Sequence, residues 1–318
     1  MTIAVLGATS LLGKALIESY VARNSDYEGL IALESVQEDG SFEVAGQSFE
    51  LVHPDNFDWS LSQVVVGCDQ TLVEKYADQI SSLGGILLNA TAASIVGSIP
   101  TLSVSDEQWA GAQGVYQVPC SSTLMVARLL QRLELEVGID KVHISALLSV
   151  AHQGQPGIDE LAGQTARLLN GLAIESDVFD KQVAFNLLTV SSDSESIAEQ
   201  VEQQLPLLFR ESEPSISAHS VYTPIFYGEM ALVSIECLSA VSAAFCSEIW
   251  QELEGVELDD GQNLTLVTDL NRHPVVCVSQ VRHSEQQPNE VKFCVQADSI
   301  KACMIPYIEE RIEFIRGF

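Results

Sequence analysis

The sequence predicts an α/β protein in which an N-terminal Rossmann-like, doubly wound parallel sheet is followed by an α+β domain with a mixed sheet. Three observations support this prediction. Strand-like and helix-like segments alternate through residues 1–120, as they do in doubly wound folds. From Lys141 onward, extended stretches rich in Val, Ile and Ser replace that alternation. The 318 residues, 47% of them hydrophobic, suit two moderate cores better than one.

The first predicted strand and helix lie in the segment TIAVLGATSLLGKALIESYVARN. A short β-branched strand is followed by a glycine turn and then by a helix whose apolar positions recur every three or four residues. Such a turn lets the backbone approach a pyrophosphate and offers it helix N-terminal N–H groups, so we expect dinucleotide binding; a purely structural tight turn is the alternative. The residues expected to bind the cofactor are Gly7, Thr9, Ser10, Leu11, Leu12 and Gly13.

The following segments continue the alternation in order. EGLIALES and SQVVVGCD predict buried parallel strands, and TLVEKYADQISSLG predicts a helix between strands. GILLNATAAS and GVYQVPCSS predict two further strands. In a doubly wound sheet the loops at the carboxyl ends of these strands meet at the edge where ligands bind.

Cys120 is expected at that edge, in the segment QVPCSSTLMVARLL, where a loop gives way to a helical pattern. A helix N-terminus favours the thiolate form of a cysteine, which makes Cys120 a candidate nucleophile. A small buried residue at a helix start is the alternative. His152, in the loop segment SVAHQGQPG, could pair with Cys120 in a redirected hydrolase or acyltransferase. A histidine that is solvated or hydrogen-bonded locally is the simpler interpretation.

The second domain is predicted from its extended stretches, which are KVHISALLSVAHQ, QVAFNLLTVSS, SISAHSVYTPIFYGEMALVSIECL, PVVCVSQVRH and EVKFCVQAD. Helices are expected over about 157–169, 194–208 and 239–252. The closing segment SIKACMIPYIEERIEFI predicts an amphipathic helix. We therefore expect domains over 1–120 and 121–301, with 302–318 returning to the first domain.

Composition excludes several classes of protein. Fifteen Lys and Arg against 44 Asp and Glu give a net charge of −29, which argues against nucleic-acid and membrane partners. The sequence contains no recognisable signal peptide or membrane-spanning segment, so we expect a cytoplasmic protein. The seven cysteines and six histidines lack metal-binding spacing, which favours reduced thiols and no metal site.

Several ordered segments of the chain resemble the aspartate-semialdehyde dehydrogenase family over nearly the whole length. They are AVLGATSLLGKAL, PCSSTLMVARLL, SVAHQGQPGIDELAGQT, VAFNLLTVSSD, TPIFYGEMALVSIE and VQADSIKAC. Within that family the chain most resembles the Usg proteins, which are divergent paralogues with an eroded active site. The resemblance implies an NADP-dependent reductive dephosphorylation of an acyl phosphate to an aldehyde through a cysteine thioester, in amino-acid biosynthesis. It also implies that 1–120 binds the dinucleotide and that 121–301 serves catalysis and dimerisation.

The resemblance assigns the nucleophile to Cys120, but other roles fall on altered residues. The asparagine that precedes the family's nucleophile is replaced by Pro119. The family's acid/base histidine falls on Glu229, whose carboxylate cannot relay a proton as a neutral imidazole does. The substrate-gripping arginine, the glutamine that positions the acyl intermediate and the phosphate-binding arginine fall on Tyr222, Leu148 and Ser94. The resemblance therefore predicts a protein without the usual reaction.

The segment LESVQEDGS stands where the family binds the 2′-phosphate of NADP. Glu34, Glu38 and Asp39 would repel that phosphate, and one of them could accept a hydrogen bond from a ribose hydroxyl. Cys68 and Asp69 also replace small residues beside the nicotinamide half. The cofactor implied is NAD or NADP, with NAD favoured and with weakened affinity.

Two hypotheses of different classes remain open. In the first, the chain is a pseudoenzyme that keeps the fold and serves as a binding or regulatory subunit. In the second, it is an active NAD(P)-dependent oxidoreductase that acts on a different aldehyde or acyl small-molecule substrate through a Cys120 thioester. A homodimer is expected in both cases, and a heterodimer with an active paralogue is the alternative.

Overall fold

The computed structural model describes residues 2–23, 29–35, 40–109, 111–189, 196–209, 212–259, 261–270 and 274–317. The chain forms two compact units. The N-terminal unit comprises Met1–Cys120 together with Met304–Phe318, and the C-terminal unit comprises Ser121–Cys303.

The N-terminal unit is built on an eight-stranded sheet in the order β3-β4-β2-β1-β5-β6-β8-β7. The strands are β1 (Ile3–Leu6), β2 (Leu30–Leu33), β3 (Ser41–Val44), β4 (Gln47–Val52), β5 (Val64–Gly67), β6 (Ile86–Asn89), β7 (Ile99–Pro100) and β8 (Gly114–Gln117). Pairing is parallel throughout except between β3 and β4. The strand order reverses between β1 and β5, which is the topological switch point where open α/β sheets bind ligands.

The central strands of this sheet explain the continuous apolar runs in the sequence. Every residue of β1, β5 and β6 is buried, as expected for parallel strands covered on both faces. The α-helices of the first segment are α1 (Leu11–Arg23) and α2 (Gln70–Ser82). The Asp69 side chain accepts a hydrogen bond from Leu72 N (2.9 Å) and so caps α2.

The C-terminal unit contains a seven-stranded mixed sheet in the order β10-β11-β9-β12-β15-β14-β13. The strands are β9 (Ile139–Leu148), β10 (Leu188–Thr189), β11 (Ser215–Tyr222), β12 (Glu229–Cys237), β13 (Val256–Leu258), β14 (Val276–Ser284) and β15 (Gln287–Ala297). The pairs β11–β9 and β13–β14 are parallel, and the other pairs are antiparallel. This mixed sheet, together with the parallel sheet of the N-terminal unit, confirms the predicted fold class.

The α-helices of the C-terminal unit are α3 (Ser121–Val137), α4 (Gly154–Leu169), α5 (Ile197–Gln204) and α6 (Ala243–Gln251). Helix α3 packs on β9, β12 and β15. On β12 the alternate residues Glu229, Ala231, Val233 and Ile235 are buried, whereas Leu232 and Glu236 are exposed. One face of the sheet therefore contributes to the core, and the other lies open.

The last helix, α7 (Ile305–Arg316), follows a π-helical turn over Ser299–Met304. It packs on α1 within the N-terminal unit, where Glu309 accepts a hydrogen bond from Ser19 Oγ (2.7 Å) and pairs with Arg23. Short 3-10 helices occupy Pro54–Asn56, Trp59–Leu61, Thr101–Ser103, Asp106–Trp109, Val150–Gln153 and Leu205–Leu208.

One predicted strand is largely wrong. The stretch QVAFNLLTVSS forms a strand only at Leu188–Thr189, and its last residues lie outside the described part of the chain. The backbone N–H groups of Val183 and Ala184 donate instead to Oε1 of Gln164, at 2.9 and 3.2 Å. A side chain from α4 takes the hydrogen bonds that a neighbouring strand would otherwise have made.

Candidate functional site

The loop between β1 and α1 requires both glycines of the GATSLLG motif. Gly7 has a φ of +89°, and a Cβ atom added there would lie 2.5 Å from Asp69 Cβ. A Cβ atom added at Gly13 would lie 2.3 Å from the carbonyl oxygen of Gly7. The glycines thus allow α1, with Leu11 and Leu12 as its first residues, to start directly against the end of β1.

The polar groups of this loop bond to neighbouring protein atoms. Ser10 Oγ accepts a hydrogen bond from Gly13 N (3.0 Å) and donates to Gly7 O (2.8 Å), which caps α1. Thr9 donates from both its backbone N and its Oγ1 to Oε2 of Glu34, at 3.1 and 2.6 Å. Glu34 is one of the three acids predicted as possible acceptors of a hydrogen bond from a ribose hydroxyl. The other two, Glu38 and Asp39, lie outside the described residues.

The neighbouring strand ends are joined by an amide network. Asn89, fully buried at the end of β6, donates to Oε1 of Gln117 (2.7 Å) at the end of β8. Its own Oδ1 accepts hydrogen bonds from the Thr91 backbone and hydroxyl. Ser94, to which the resemblance assigns the position of a phosphate-binding arginine, is exposed in the loop that follows. Cys68, beside the switch point, is a thiol whose pKa is raised by burial and by the charge of Asp69.

Cys120 is partly exposed and directly precedes the first residue of α3. It ends the long N-terminal segment of the first unit. Pro119 before it is buried. This placement agrees with the sequence prediction that the cysteine stands at a helix start, after the last strand of the parallel sheet.

In the C-terminal unit the sheet register brings three predicted site residues side by side. Leu148, the last residue of β9, pairs with Tyr222 at the end of β11 and with Glu229 at the start of β12. All three side chains are buried. Gly228, with a φ of +89°, makes the turn that leads into β12 and sets the position of Glu229. The three residues that the resemblance assigns to the family's glutamine, arginine and histidine positions therefore form one cluster.

Glu229 is held by three donors, all within the C-terminal unit. Its Oε2 accepts a hydrogen bond from Ser121 Oγ (2.8 Å) and lies 3.2 Å from His152 Nε2, while its Oε1 accepts a hydrogen bond from Ser122 Oγ. The carboxylate is fully buried and the His152 side chain is 11% exposed. Burial acts to raise the pKa of Glu229, but the hydrogen bonds and charge of His152 and the two serine hydroxyls outweigh it and leave the pKa lowered.

Tyr222 fills the space next to this carboxylate. Its hydroxyl accepts a hydrogen bond from Gln153 Nε2 (2.6 Å), and its ring packs edge-on against Phe179 at 5.2 Å between centroids. Burial is the main cause that raises the pKa of Tyr222, and the nearby charge of Glu229 adds to it. The side chain is therefore a neutral phenol.

The residues that the structure describes include neither a cluster of metal ligands nor a membrane-spanning helix. Among them, no three His, Cys, Asp or Glu side chains lie together as metal ligands. Likewise, no helix in the described part of the chain is long and apolar enough to cross a membrane.

Comparison with known proteins shows which family the chain belongs to. The family profile described as "Semialdehyde dehydrogenase, dimerisation domain" matches residues 130–301, more than half of the chain. The chain belongs to the semialdehyde dehydrogenase family. The match covers most of the C-terminal unit, including Leu148, Tyr222 and Glu229.

Relatives of this semialdehyde dehydrogenase family member match nearly its whole length. Aspartate-semialdehyde dehydrogenase 2 of Vibrio cholerae is 25% identical over 94% of this chain and 93% of its own. A USG-1 protein homologue of Pseudomonas aeruginosa is 26% identical over 95% and 93%. The predicted likeness both to aspartate-semialdehyde dehydrogenases and to Usg proteins is thus confirmed.

Solved structures show the same fold. The Vibrio cholerae aspartate semialdehyde dehydrogenase II, described as complexed with ASA, superposes with a TM-score of 0.90 over 99% of this chain and 98% of its own, at 23% identity. The Candida albicans aspartate semialdehyde dehydrogenase, described as holding NADP, gives a TM-score of 0.70 over 99% and 98%, at 14% identity.

Sequence reasoning missed part of the cluster in this family member. The sequence predicted Ser121 and Ser122 only as residues of a helix start, and His152 as a partner for Cys120 or, more simply, as a solvated or locally hydrogen-bonded histidine. The hydroxyl run after Cys120 was the available signal, because hydroxyls at a helix N-terminus often accompany a bound anion. Here Glu229 supplies that anion.

Proposed function

We propose that this semialdehyde dehydrogenase family member keeps the family fold but does not carry out the reductive dephosphorylation of acyl phosphates. The observation that supports this proposal is the condition of Glu229, at the family's histidine position. A general base works best when its pKa lies near the operating pH. The lowered pKa of Glu229 makes it a poor proton acceptor, and its three donors already occupy the carboxylate.

The positions expected to bind the substrate's carboxylate and phosphate also favour the loss of this reaction. A guanidinium binds a carboxylate through two parallel charged hydrogen bonds. At that position the Tyr222 hydroxyl is neutral, buried and already bonded to Gln153. Ser94 likewise offers no positive charge to a phosphate. A protein that lacks both cations would bind a doubly charged acyl phosphate weakly.

A steady-state assay tests this proposal. Purified protein is mixed with aspartate semialdehyde, phosphate and NADP⁺ or NAD⁺, and reduced cofactor is followed at 340 nm, the usual absorbance band of NAD(P)H. The Vibrio cholerae enzyme serves as the positive control and Cys120→Ser of this chain as the blank. We expect the wild-type rate to equal the blank. A Cys120-dependent rate approaching that of the positive control would refute the proposal.

We further propose that 1–120 forms a dinucleotide-binding domain, with the Gly7–Gly13 loop as its contact with the cofactor. The close approach of α1 to β1 at the switch point supports this assignment, since it is the geometry in which helix N–H groups meet a pyrophosphate. NAD is the favoured cofactor over NADP, because Glu34 places a negative charge at the end of β2.

A homodimer through the C-terminal domain, 121–301, completes the proposal. The family profile over 130–301 is a dimerisation domain. The open sheet face presents Leu232, 46% exposed, at its centre and an ion pair of Lys141 with Glu236 (2.9 Å) towards one end. A second copy related by a two-fold axis would bury that leucine and meet the opposite charges in reciprocal positions.

One observation favours a second candidate function. Cys120 remains partly exposed at the start of α3, a setting that favours a reactive thiolate. The alternative is an oxidoreductase that, with NAD⁺ as the oxidant, converts an aldehyde lacking the anionic groups into the acid through a Cys120 thioester that water hydrolyses. A panel of uncharged aldehydes with NAD⁺ tests it: turnover that disappears in Cys120→Ser would establish this activity, and no turnover with any aldehyde would exclude it for that panel.

A further inference from the structure

Two histidines lie together on the open face of the C-terminal sheet. His143 stands on β9 and His219 on β11, the strand that pairs with β9 in parallel. Both residues are exposed, and their rings meet edge to face with 5.6 Å between centroids. His143 Nδ1 lies 2.9 Å from the hydroxyl of Ser217, its partner in the register. Because the two histidines are far apart in the sequence, their spacing there does not reveal the pair.

The distance between the rings suits one divalent transition-metal ion. An imidazole nitrogen binds Zn²⁺ at about 2.0–2.1 Å, which places the ion about 3.2 Å from the ring centroid. Two rings that share an ion can therefore have centroids up to about 6.4 Å apart, and the observed 5.6 Å lies within that limit. When Nδ1–H of His143 donates to Ser217 Oγ, the lone pair on Nε2 is left for a metal. The net charge of −29 also attracts cations to the protein.

One chain supplies only half of a tetrahedral site. Structural zinc takes four protein ligands, and no third His, Cys, Asp or Glu side chain joins this pair among the described residues. The sheet register places His219, Ser145 and Leu232 in one row across β11, β9 and β12. The pair therefore lies within two strand spacings, about 10 Å, of the leucine at the centre of the proposed dimer interface. A two-fold axis in that interface provides a second pair of imidazoles.

We propose that His143 and His219 form a site for Zn²⁺ or a similar divalent transition-metal ion that two copies of this chain share, with two imidazole ligands from each copy. The inference rests on the proposed homodimer through the open sheet face. Packed sheets lie about 10 Å apart, so an ion midway between them is about 5 Å from each sheet and within reach of histidine side chains on both. An ion that binds the dimer and not the monomer stabilises the dimer by mass action.

The test compares wild type, His143→Ala, His219→Ala and His283→Ala after treatment with EDTA. His283 is an exposed histidine of β14 whose register partner Val291 is buried, so it lies on the other face of the sheet and controls for the loss of one imidazole. Calorimetry follows the titration with Zn²⁺, and analytical ultracentrifugation measures the Kd of the dimer with and without the ion.

Wild type and His283→Ala should bind one ion per two chains, and Zn²⁺ should lower the Kd of their dimers by about tenfold or more. His143→Ala and His219→Ala should lose both effects while remaining folded in thermal denaturation, since both side chains are exposed. Binding of one ion per chain would overturn the inference, as would Zn²⁺ binding that persists in both variants or a dimer Kd that the ion leaves unchanged.

The homodimer itself is judged separately, from wild type and Leu232→Glu in EDTA. A wild type that is dimeric in EDTA but binds no Zn²⁺ would overturn this inference and leave the homodimer standing. A wild type that stays monomeric with and without the ion would refute the homodimer and this inference with it.

Discussion

Glu229 shows how a single replacement changes what a buried position can do. A histidine there would offer a neutral imidazole to a reacting group. The carboxylate instead draws in Ser121, Ser122 and His152, which lie far from it in sequence, and it becomes the centre of a closed hydrogen-bonded cluster. Charge and donors are matched inside the protein, so we expect the position to stabilise the fold rather than a substrate.

The first prediction concerns the stability that this cluster provides. Glu229→Gln removes the charge that His152 and the serines compensate, and breaking a buried pair in this way costs about 3–5 kcal/mol. Glu236→Gln on the same strand removes an exposed partner of Lys141 and should cost about 1 kcal/mol or less. Urea denaturation of both variants measures the difference. Equal losses would mean that the Glu229 cluster contributes no more than a surface pair.

The second prediction concerns pH. Because the folded protein lowers the pKa of Glu229, its contribution to stability is complete above the pKa of the unfolded carboxyl, about 4.3, and is lost as the pH falls through the folded value. The stability difference between wild type and Glu229→Gln should therefore shrink as the pH falls below about 4.3. Denaturation midpoints across this range measure it. A difference that grows on acidification would show that the pKa is raised.

The assignment of Glu229 to the family's histidine position stays a prediction, and it was within reach of the sequence because the resembling segments run in order along the chain. The contacts of its carboxylate were not. They join the start of α3, the loop before α4 and the start of β12, so they depend on how distant elements pack. In the same way Glu34 was recognised as an acid near the cofactor loop, but its bonds to Thr9 could not be read from the sequence.

At the scale of elements, the third prediction compares alanine substitutions at two glycines that lie in helices. Gly13→Ala places a Cβ atom 2.3 Å from Gly7 O, so it should destabilise the protein by about 1–3 kcal/mol. Gly163, exposed in α4, has open space around the added atom, and Gly163→Ala should stabilise by about 0.5–1 kcal/mol. Thermal unfolding of the two variants should move in opposite directions. A shift of the same sign in both would contradict the packing described for α1.

The strands with a clear hydrophobic pattern were predicted well, and the one predicted strand that was largely wrong has a structural cause. The buried strands β1, β5 and β6 follow from their apolar runs, and β12 follows from its alternation. The stretch around Val183 carries the same β-branched composition, yet its backbone bonds to Gln164 of α4 instead of to a strand. Composition indicates that a segment can be extended; it does not specify which partner takes its hydrogen bonds.

At the scale of the whole molecule, the fourth prediction tests the proposed dimer. Leu232→Glu places a charge at the centre of the open sheet face, and burying it against a second copy would be unfavourable. We expect this variant to be monomeric by analytical ultracentrifugation while wild type is dimeric. Leu83→Glu, at an exposed leucine directly after α2 in the other unit, is the control and should remain dimeric. A dimeric Leu232→Glu protein would place the interface elsewhere.

The central proposal for this protein is that it no longer carries out the family's acyl-phosphate chemistry. The first chemical step of that reaction leaves an acyl group on the nucleophile, and intact-mass spectrometry detects it directly without any cofactor. Wild type and Cys120→Ser are incubated with an acyl phosphate, quenched in acid and weighed. We predict that the wild-type protein shows no added mass beyond that of Cys120→Ser. An acyl adduct found on wild type, absent from Cys120→Ser and removed by hydroxylamine, would contradict the account.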